Sequence, residues 1–554
     1  MGYKRSPRID PKKGAGDEHS GKWVSSEMPS RRLIIAILLF AGVIWYGFYA
    51  THTKEISGSD DREYASIARN IVDGKGIVRN FIYPVDINFF KKLPVPEFVH
   101  PPGYPLIIAG FFKLFGISDL SALLPSYLSY FILVILIFLF ARRHLGVRTA
   151  TVAAVILIFS KEILNMSMVA LSEMVYALFF FLFFTLFVKA SSLKAIFIAG
   201  ILLGMSHLIR ENIYPFVIPL FIYLYFYPDF PRWKKMFFFL IGIFMPIIPN
   251  MIRSFSLTGS PFFSYGKFAL MAFSEKYPWL NIYRDTENLS LFEFLSAEAA
   301  QLYLKYLTNV VSTFEQFMSV SNPYVLAFFV IEMFHWKMSQ EWKRVKLLFL
   351  FLLVSQIFFI SLFTFTHRFF VPFLPMMILF ASQGFSRISE ELIPEVRVHW
   401  KKVVFLSTIL LFFIFFMVPT TYTIFQPKKS PIFNFRNPQF GFLISKGEAE
   451  KLKEFLKDEL KENQVIWTDL PEILEWEGNR LCGWLPIRIE TIYKIHKKIP
   501  VDAILLTSIR TPYTMEEEWR YLLLSEHSLP KYRNVKLYKS RWVFAKLLVR
   551  DEEE

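Results

Sequence analysis

Cysteine is almost missing from this chain: there is one, Cys482, among 554 residues. That excludes an intrachain disulfide and a cysteine-based metal site, and it leaves cysteine uninformative about compartment. Charge is also scarce, at 20% of residues, and it is gathered in clusters between apolar runs instead of being spread along them. A soluble enzyme of this length rarely pairs so little charge with 54% hydrophobic and 18% aromatic residues, Phe alone numbering 63. The composition is that of an integral membrane protein. The net charge of +15 falls beside the ends of apolar segments, where it sets topology, so no nucleic-acid partner is expected. Matching halves, the mark of a repeat-built transporter, are absent too.

Spanning hydrocarbon takes roughly 20 apolar residues, and eleven segments qualify as expected spans: 33–51, 120–141, 148–160, 172–189, 194–209, 213–228, 236–251, 323–335, 346–363, 368–383 and 402–421. The first follows a polar, basic tail (1–32) and lacks a small-residue cleavage site, which reads as an uncleaved signal anchor. Alternate connections are short and basic: Arg31-Arg32, Arg142-Arg143 with Arg148, Lys194, Arg232 with Lys234-Lys235, Lys337 with Lys343-Arg344 and Lys346, and Arg397 with Lys401-Lys402. Placed inside by the positive-inside rule, they make the N-terminus cytosolic. The stretches 52–119, 161–171, 210–212, 252–322, 364–367 and everything after 421 are then outside.

Residues 422–554 change character. Leu452, Phe455, Leu456 and Leu460 share one face of an amphipathic helix over 446–463. Short buried strands are expected at 464–467 and 502–506, with helices near 486–496 and 514–524. This describes a small soluble α/β domain, and without a GxGxxG it has no dinucleotide fingerprint.

The first outer loop is patterned. Tyr64, Ile67, Ala68, Ile71 and Val72 recur at helical spacing after Asp60-Asp61, predicting an interfacial helix with one face on the bilayer. His100-Pro101-Pro102-Gly103-Tyr104-Pro105 turns into a second, ending at Gly116. An acid at a helix start with Glu63 three residues after Asp60 is also the pattern of a capping box. Against that reading stands placement, since paired carboxylates at the water–lipid boundary are where a lipid-borne substrate meets a water-borne one.

The order of these features, a basic tail, one span, SDDREYASIARNIVDGKG and then HPPGYPLIIAGFFKLFG, resembles the opening of the GT-C superfamily of polyprenyl-phosphate-sugar glycosyltransferases, in the branch of protein O-mannosyltransferases and lipid A aminoarabinose transferases. Ser172-Glu173, Gly204 followed by Leu208-Ile209-Arg210, Arg253 with Gly259-Ser260-Pro261, and His367-Arg368-Phe369 extend the likeness over most of 30–510. Ser254 stands where that family usually has Asn.

The resemblance implies a GT-C-like transmembrane catalytic domain over 33–421, an extracytoplasmic small α/β domain over 422–554, and a place in a plasma or inner membrane. It implies a polyprenyl-phosphate sugar donor and a hydroxyl acceptor on a glycan, lipid or protein. An acceptor hydroxyl needs a base, for which Asp60 matches the family's acid, with Asp61 second and Glu173 assisting. A phosphate leaving group needs cations, for which Arg210, Arg368 and His100 are the candidates. For the two arginines, snorkelling to the interface is the bland alternative, with Glu211 a possible partner for Arg210. Tyr64, His367 and Tyr104 are assigned to substrate contact. No cofactor is required, and a divalent metal, if one binds, falls to Asp60 and Glu173. A transporter or flippase-like protein and an inactive GT-C-like scaffold are the alternatives.

Overall fold

The computed structural model describes residues 31–391, 403, 407 and 446–551, except 53–54, 57, 227–230, 279, 288–289, 365, 510–516 and 541–542. The expected span 402–421 and its basic flank lie outside the described residues.

The membrane part is helical. In chain order come α1 (Arg31–Thr51), α2 (Ser59–Val72), α3 (Gly103–Phe115), α4 (Asp119–Leu145), α5 (Val147–Ile158), α6 (Lys161–Ser167), α7 (Ser172–Val188), α8 (Leu193–Ile209), α9 (Val217–Phe226) and α10 (Arg232–Thr258). They are followed by α11 (Gly266–Met271), α12 (Leu291–Ala297), α13 (Ala299–Val320), α14 (Pro323–Phe334), α15 (Gln340–Ser361) and α16 (Leu374–Glu391).

Among the described residues five helices are long and apolar enough to cross a membrane, or seven if α6 with α7 and α13 with α14 each make one bent span. The expected spans 148–160, 194–209 and 213–228 fall on shorter apolar helices, so length alone does not carry the count to eleven. The expected span 323–335 is likewise one limb of a pair bent by 106°. Its other limb, α13, occupies much of what reads in sequence as a long loop. Polar Asn309 and Thr313 lie on its buried side, while Leu304, Val311 and Phe314 point outward. That inside-out amphipathicity hides the helix from a search for uniformly apolar runs.

Polar contacts tie the helix ends together in two groups. At one end, Lys189 meets Glu341 at 2.7 Å, Thr149 bonds Ser386 at 3.1 Å, and Glu332 is paired by Lys346 and Arg387 at 2.6 and 3.1 Å. At the other, Trp45 bonds Ser167 at 3.2 Å, and Arg253 donates to the carbonyls of Ile77 and Glu97, each at 2.9 Å.

One close approach fixes much of the bundle. Gly200 and Gly204, a G-x-x-x-G pair on α8, face Gly242 on α10: a Cβ at Gly200 would lie 2.4 Å from the Phe239 carbonyl oxygen, and one at Gly204 2.3 Å from that of Ile243. Two backbones this close exclude any side chain, the small-residue mode of packing in membranes.

The C-terminal domain contains α17 (Lys446–Lys457), α18 (Pro471–Gly478), α19 (Thr491–His496) and α20 (Glu517–Leu524). Among the described residues the strands are β1 (Val78–Arg79), β2 (Phe81–Ile82), β3 (Val95–Pro96), β4 (Ile466–Thr468), β5 (Cys482–Trp484), β6 (Ala503–Thr507), β7 (Tyr532–Lys539) and β8 (Phe544–Arg550). Six of them form one sheet in the order β2-β5-β4-β6-β8-β7. Its edge strand β2 comes from the first long loop and pairs parallel to β5, so the loop and the C-terminal domain share a sheet across about four hundred residues of sequence. Leu452, Phe455, Leu456 and Leu460 are all buried, as their spacing predicts.

The two expected loop helices, α2 and α3, are present, but α2 does not lie with one face on lipid. Asp61 through Ala68 are buried without a break. The reason is that its polar side is covered as well: Arg69 bonds the carbonyls of Trp476 and Glu475 in the C-terminal domain, Ser59 bonds Glu472, and Glu63 meets His100 just before α3.

Candidate active site

Helix α2 begins after Gly58, which provides no side-chain cap. Asp60 and Asp61 sit in its first turn, where the helix dipole favours negative charge. The capping box does not form, because the Glu63 carboxylate is engaged by the His100 ring at 2.9 Å. Glu173 stands in the first turn of α7, just after the chain bends by 117° from α6. Arg210 is the residue that ends α8, and its depth is therefore set by the glycine contact with α10. Gly103 packs there as well, since a Cβ on it would sit 2.6 Å from the Leu208 carbonyl oxygen. Arg368 lies in the 3-10 turn His367–Phe373 that leads into α16.

Four of these side chains meet. Arg368 Nη2 is 3.0 Å from Asp60 Oδ2, and its Nε is 3.4 Å from Glu173 Oε1. Arg210 Nη1 donates to the same Glu173 oxygen at 2.9 Å and to Ser172 Oγ at 3.2 Å. Its guanidinium also stacks over Phe369, 4.3 Å from the ring centroid. The order is thus Asp60, Arg368, Glu173, Arg210, with two negative and two positive groups in balance. Glu173 is 1% exposed, Arg368 22% and Asp60 39%. A buried carboxylate is costly without partners, and Glu173 has two. Asp60 and Arg368 form the wet edge.

Arg210 pairs with Glu173 and not with Glu211, whose carboxylate accepts from Ser264 Oγ at 3.3 Å. Plain snorkelling does not describe either arginine, because both reach inward to carboxylates.

The aspartates differ. Burial works to raise the Asp60 carboxyl, but the charges of Arg368, His100 and Arg210 and the bond from Arg368 outweigh it and hold Asp60 below its ordinary value. Asp61 is pushed up to about 7, first by burial and then by the neighbouring Asp60 charge. His100 would be lowered by burial, yet its bond to Glu63 and the charges of Glu63, Glu97 and Asp60 take it up to about 9. It is a cation at neutral pH and is already committed to Glu63.

Of the residues assigned to substrate contact, Tyr64 packs against the His100 ring at 4.6 Å and edge-on to Tyr104 at 5.0 Å. Tyr104 is wholly buried and turns its hydroxyl to Ser126 at 3.4 Å, which places it in the core. His367 faces Glu162 at 3.6 Å. Sequence reasoning gave Glu63 only a capping role, met Phe369 only within the His367-Arg368-Phe369 motif, and assigned no site role to Glu162. The spacing of Glu63 from Asp60 was visible, but its partner thirty-seven residues away was not.

Asp60 and Glu173 share the Arg368 guanidinium between them, which is not the convergence a divalent ion needs. Among the described residues no three His, Cys, Asp or Glu side chains are grouped to hold a metal.

Fold and site together define a class: a multi-pass helical membrane protein with an acid on the first helix of its first long loop, a second acid heading a buried helix, and two arginines meeting at one end of the bundle. Residues 99–252 match the family model described as dolichyl-phosphate-mannose-protein mannosyltransferase. ArnT from Cupriavidus metallidurans bound to undecaprenyl phosphate superposes with a TM-score of 0.55 at 12% identity, over 94% of this chain and 98% of that one. Its apo state gives 0.53 at the same identity and coverage. The oligosaccharyltransferase AglB from Archaeoglobus fulgidus, in complex with an inhibitory peptide and a dolichol-phosphate, gives 0.54 at 12% identity, over 86% of this chain and 69% of that one. No curated protein matches the chain. The chain carries the GT-C fold. The matched family segment and this fold support one broad activity, that of a glycosyltransferase using a lipid-linked sugar.

Proposed function

We propose that this protein is an inverting glycosyltransferase that moves a monosaccharide from a polyprenyl-phosphate donor to a hydroxyl acceptor at the extracytoplasmic face of a plasma or inner membrane. The observation that carries the reading is the Arg368 guanidinium held between Asp60 and Glu173, with Arg210 on the far side of Glu173.

The donor phosphate bridges sugar and prenyl chain and bears one negative charge. As the bond from the anomeric carbon to the phosphate oxygen breaks, its electron pair stays on that oxygen and a second charge develops. Arg368 and Arg210 are the cations that would meet this charge, and stabilising it as it grows favours the transition state over the ground state. The acceptor oxygen forms the new bond from the opposite face, and its proton passes to Asp60. A single displacement inverts the anomeric configuration.

In the free protein Asp60 is neutralised by Arg368 and is a poor base. A donor phosphate that takes over Arg368 returns Asp60 to a higher pKa and frees it for the acceptor, so donor binding arms the base. Glu173 remains behind, keeping both arginines in place.

Charge places the N-terminal tail in the cytosol and the site and C-terminal domain outside it. A reporter fused after Glu554 that works only in the cytosol contradicts this orientation. The activity itself is tested with purified protein, a panel of radiolabelled polyprenyl-phosphate hexoses and pentoses, and a membrane extract as acceptor. Label should move from at least one donor; transfer from none contradicts the reading.

A further inference from the structure

The outer domain holds the helix that bears Asp60. Ser59, the first residue of α2 and the neighbour of Asp60, donates its hydroxyl to Glu472 Oε1 at 2.6 Å. Glu472 lies in the first turn of α18 and is 2% exposed. At the other end of α2, Arg69 donates to the carbonyls of Trp476 and Glu475 at 2.9 and 2.5 Å, with its guanidinium 5.1 Å from the Trp476 ring centroid. The main-chain N–H of Asn80, next to β2, donates to Glu475 Oε1 at 2.7 Å. Trp476 in turn donates to Asp119 Oδ1 at 3.1 Å, at the head of α4. A single eight-residue helix therefore touches both ends of α2 and a membrane helix as well.

A buried carboxylate is costly unless it is hydrogen-bonded, and the hydroxyl that bonds Glu472 adjoins the proposed base. We infer that Glu472 is a positioning residue: through Ser59 it fixes the first turn of α2 and with it the direction of the Asp60 carboxylate, so that the outer domain is part of the catalytic apparatus and not an appendage. This rests on the proposed role of Asp60. Arg210 and Arg368 stand on other elements, so donor binding does not depend on Glu472.

The test is a double-mutant cycle on full-length protein with Ser59→Ala, Glu472→Ala and both together. It reads kcat in the transfer assay on the donor the wild type uses, affinity for undecaprenyl phosphate alone, and apparent Tm. Each single variant should lose roughly 10- to 100-fold in kcat, the penalty of a misplaced catalytic group. The double variant should lose no more than the worse single, and undecaprenyl phosphate should bind as tightly as before. Glu472→Gln, whose amide oxygen can still accept from Ser59, should recover most of the rate. Unchanged kcat in Glu472→Ala, additive losses, or losses that follow Tm and lipid affinity together overturn the inference. If instead Asp60→Asn transfers normally, it is the assignment of Asp60 that fails. Should Glu472→Ala not fold, Ser59→Ala and Glu472→Gln decide alone: loss in the first with retention in the second supports the inference, and any other pattern contradicts it.

Discussion

Arg368 Nη2 lies 3.0 Å from Asp60 Oδ2, joining the 3-10 turn before α16 to the first helix of the first long loop across three hundred and eight residues of sequence. Without a donor, this pair keeps the proposed base ionised and occupied.

The pair gives a pH signature. In the free protein Asp60 is held below its ordinary value of 3.8, so the acid limb of kcat/KM, which reports the free enzyme, falls below pH 4. Once phosphate occupies Arg368, Asp60 loses that support, and the acid limb of kcat moves to higher pH. In Arg368→Ala the two limbs should coincide, and affinity for undecaprenyl phosphate should weaken by about 2 kcal/mol, or about thirtyfold. Coincident limbs in the wild type contradict the exchange.

Asp61→Asn should stabilise the protein near neutral pH. The Asp61 carboxyl is raised from 3.8 to about 7 by burial and by Asp60, so the folded state prefers it protonated. Its contribution is therefore present at low pH and lost as pH rises from about 4 through 7. Removing the charge should raise apparent stability at pH 7.5 by at least ~1 kcal/mol, seen as a higher apparent Tm in detergent, with transfer retained. At pH 4 the gain should vanish. A gain independent of pH contradicts this electrostatic origin.

Gly204→Val should weaken the contact of α8 with α10 by roughly 1–3 kcal/mol, as overpacking does. Its Cβ would meet the Ile243 carbonyl oxygen at 2.3 Å and Pro246 Cγ at 2.7 Å. Because Arg210 ends α8, lipid-phosphate affinity should fall with stability. Gly110→Ala on α3, whose added Cβ meets nothing within 4 Å, should leave both unchanged. Equal thermal shifts in the two variants contradict the close approach.

Much of this arrangement was legible in the sequence where one element suffices to show it. Apolar runs with basic flanks revealed the helical membrane character and the longer spans, Glu173, Arg210 and Arg368 stood out as charges at span ends, and Asp60 stood out as one of a pair of acids opening a loop helix and by family resemblance. What the sequence did not reveal is pairwise and long-range. Arg210 chose Glu173 over adjacent Glu211, and α13 read as loop because its polar face points inward. Phe81-Ile82, within the first long loop, completes a sheet with Cys482 and Gly483, a pairing that no local pattern announces. Burial of α2 was missed for the same reason: periodicity reports one helix's own faces, and the charged residues that cover α2 lie about four hundred positions away.

The central claim, that Asp60 takes the acceptor proton, is tested most directly by single-turnover transfer with Asp60→Asn. The variant keeps the size of the side chain and leaves Arg210 and Arg368 intact. It should bind undecaprenyl phosphate at least as tightly as the wild type, since Arg368 is no longer held by a carboxylate, while transfer falls by about 10²–10⁴-fold, the usual worth of a positioned base. Transfer at the wild-type rate with lipid phosphate bound would contradict the account.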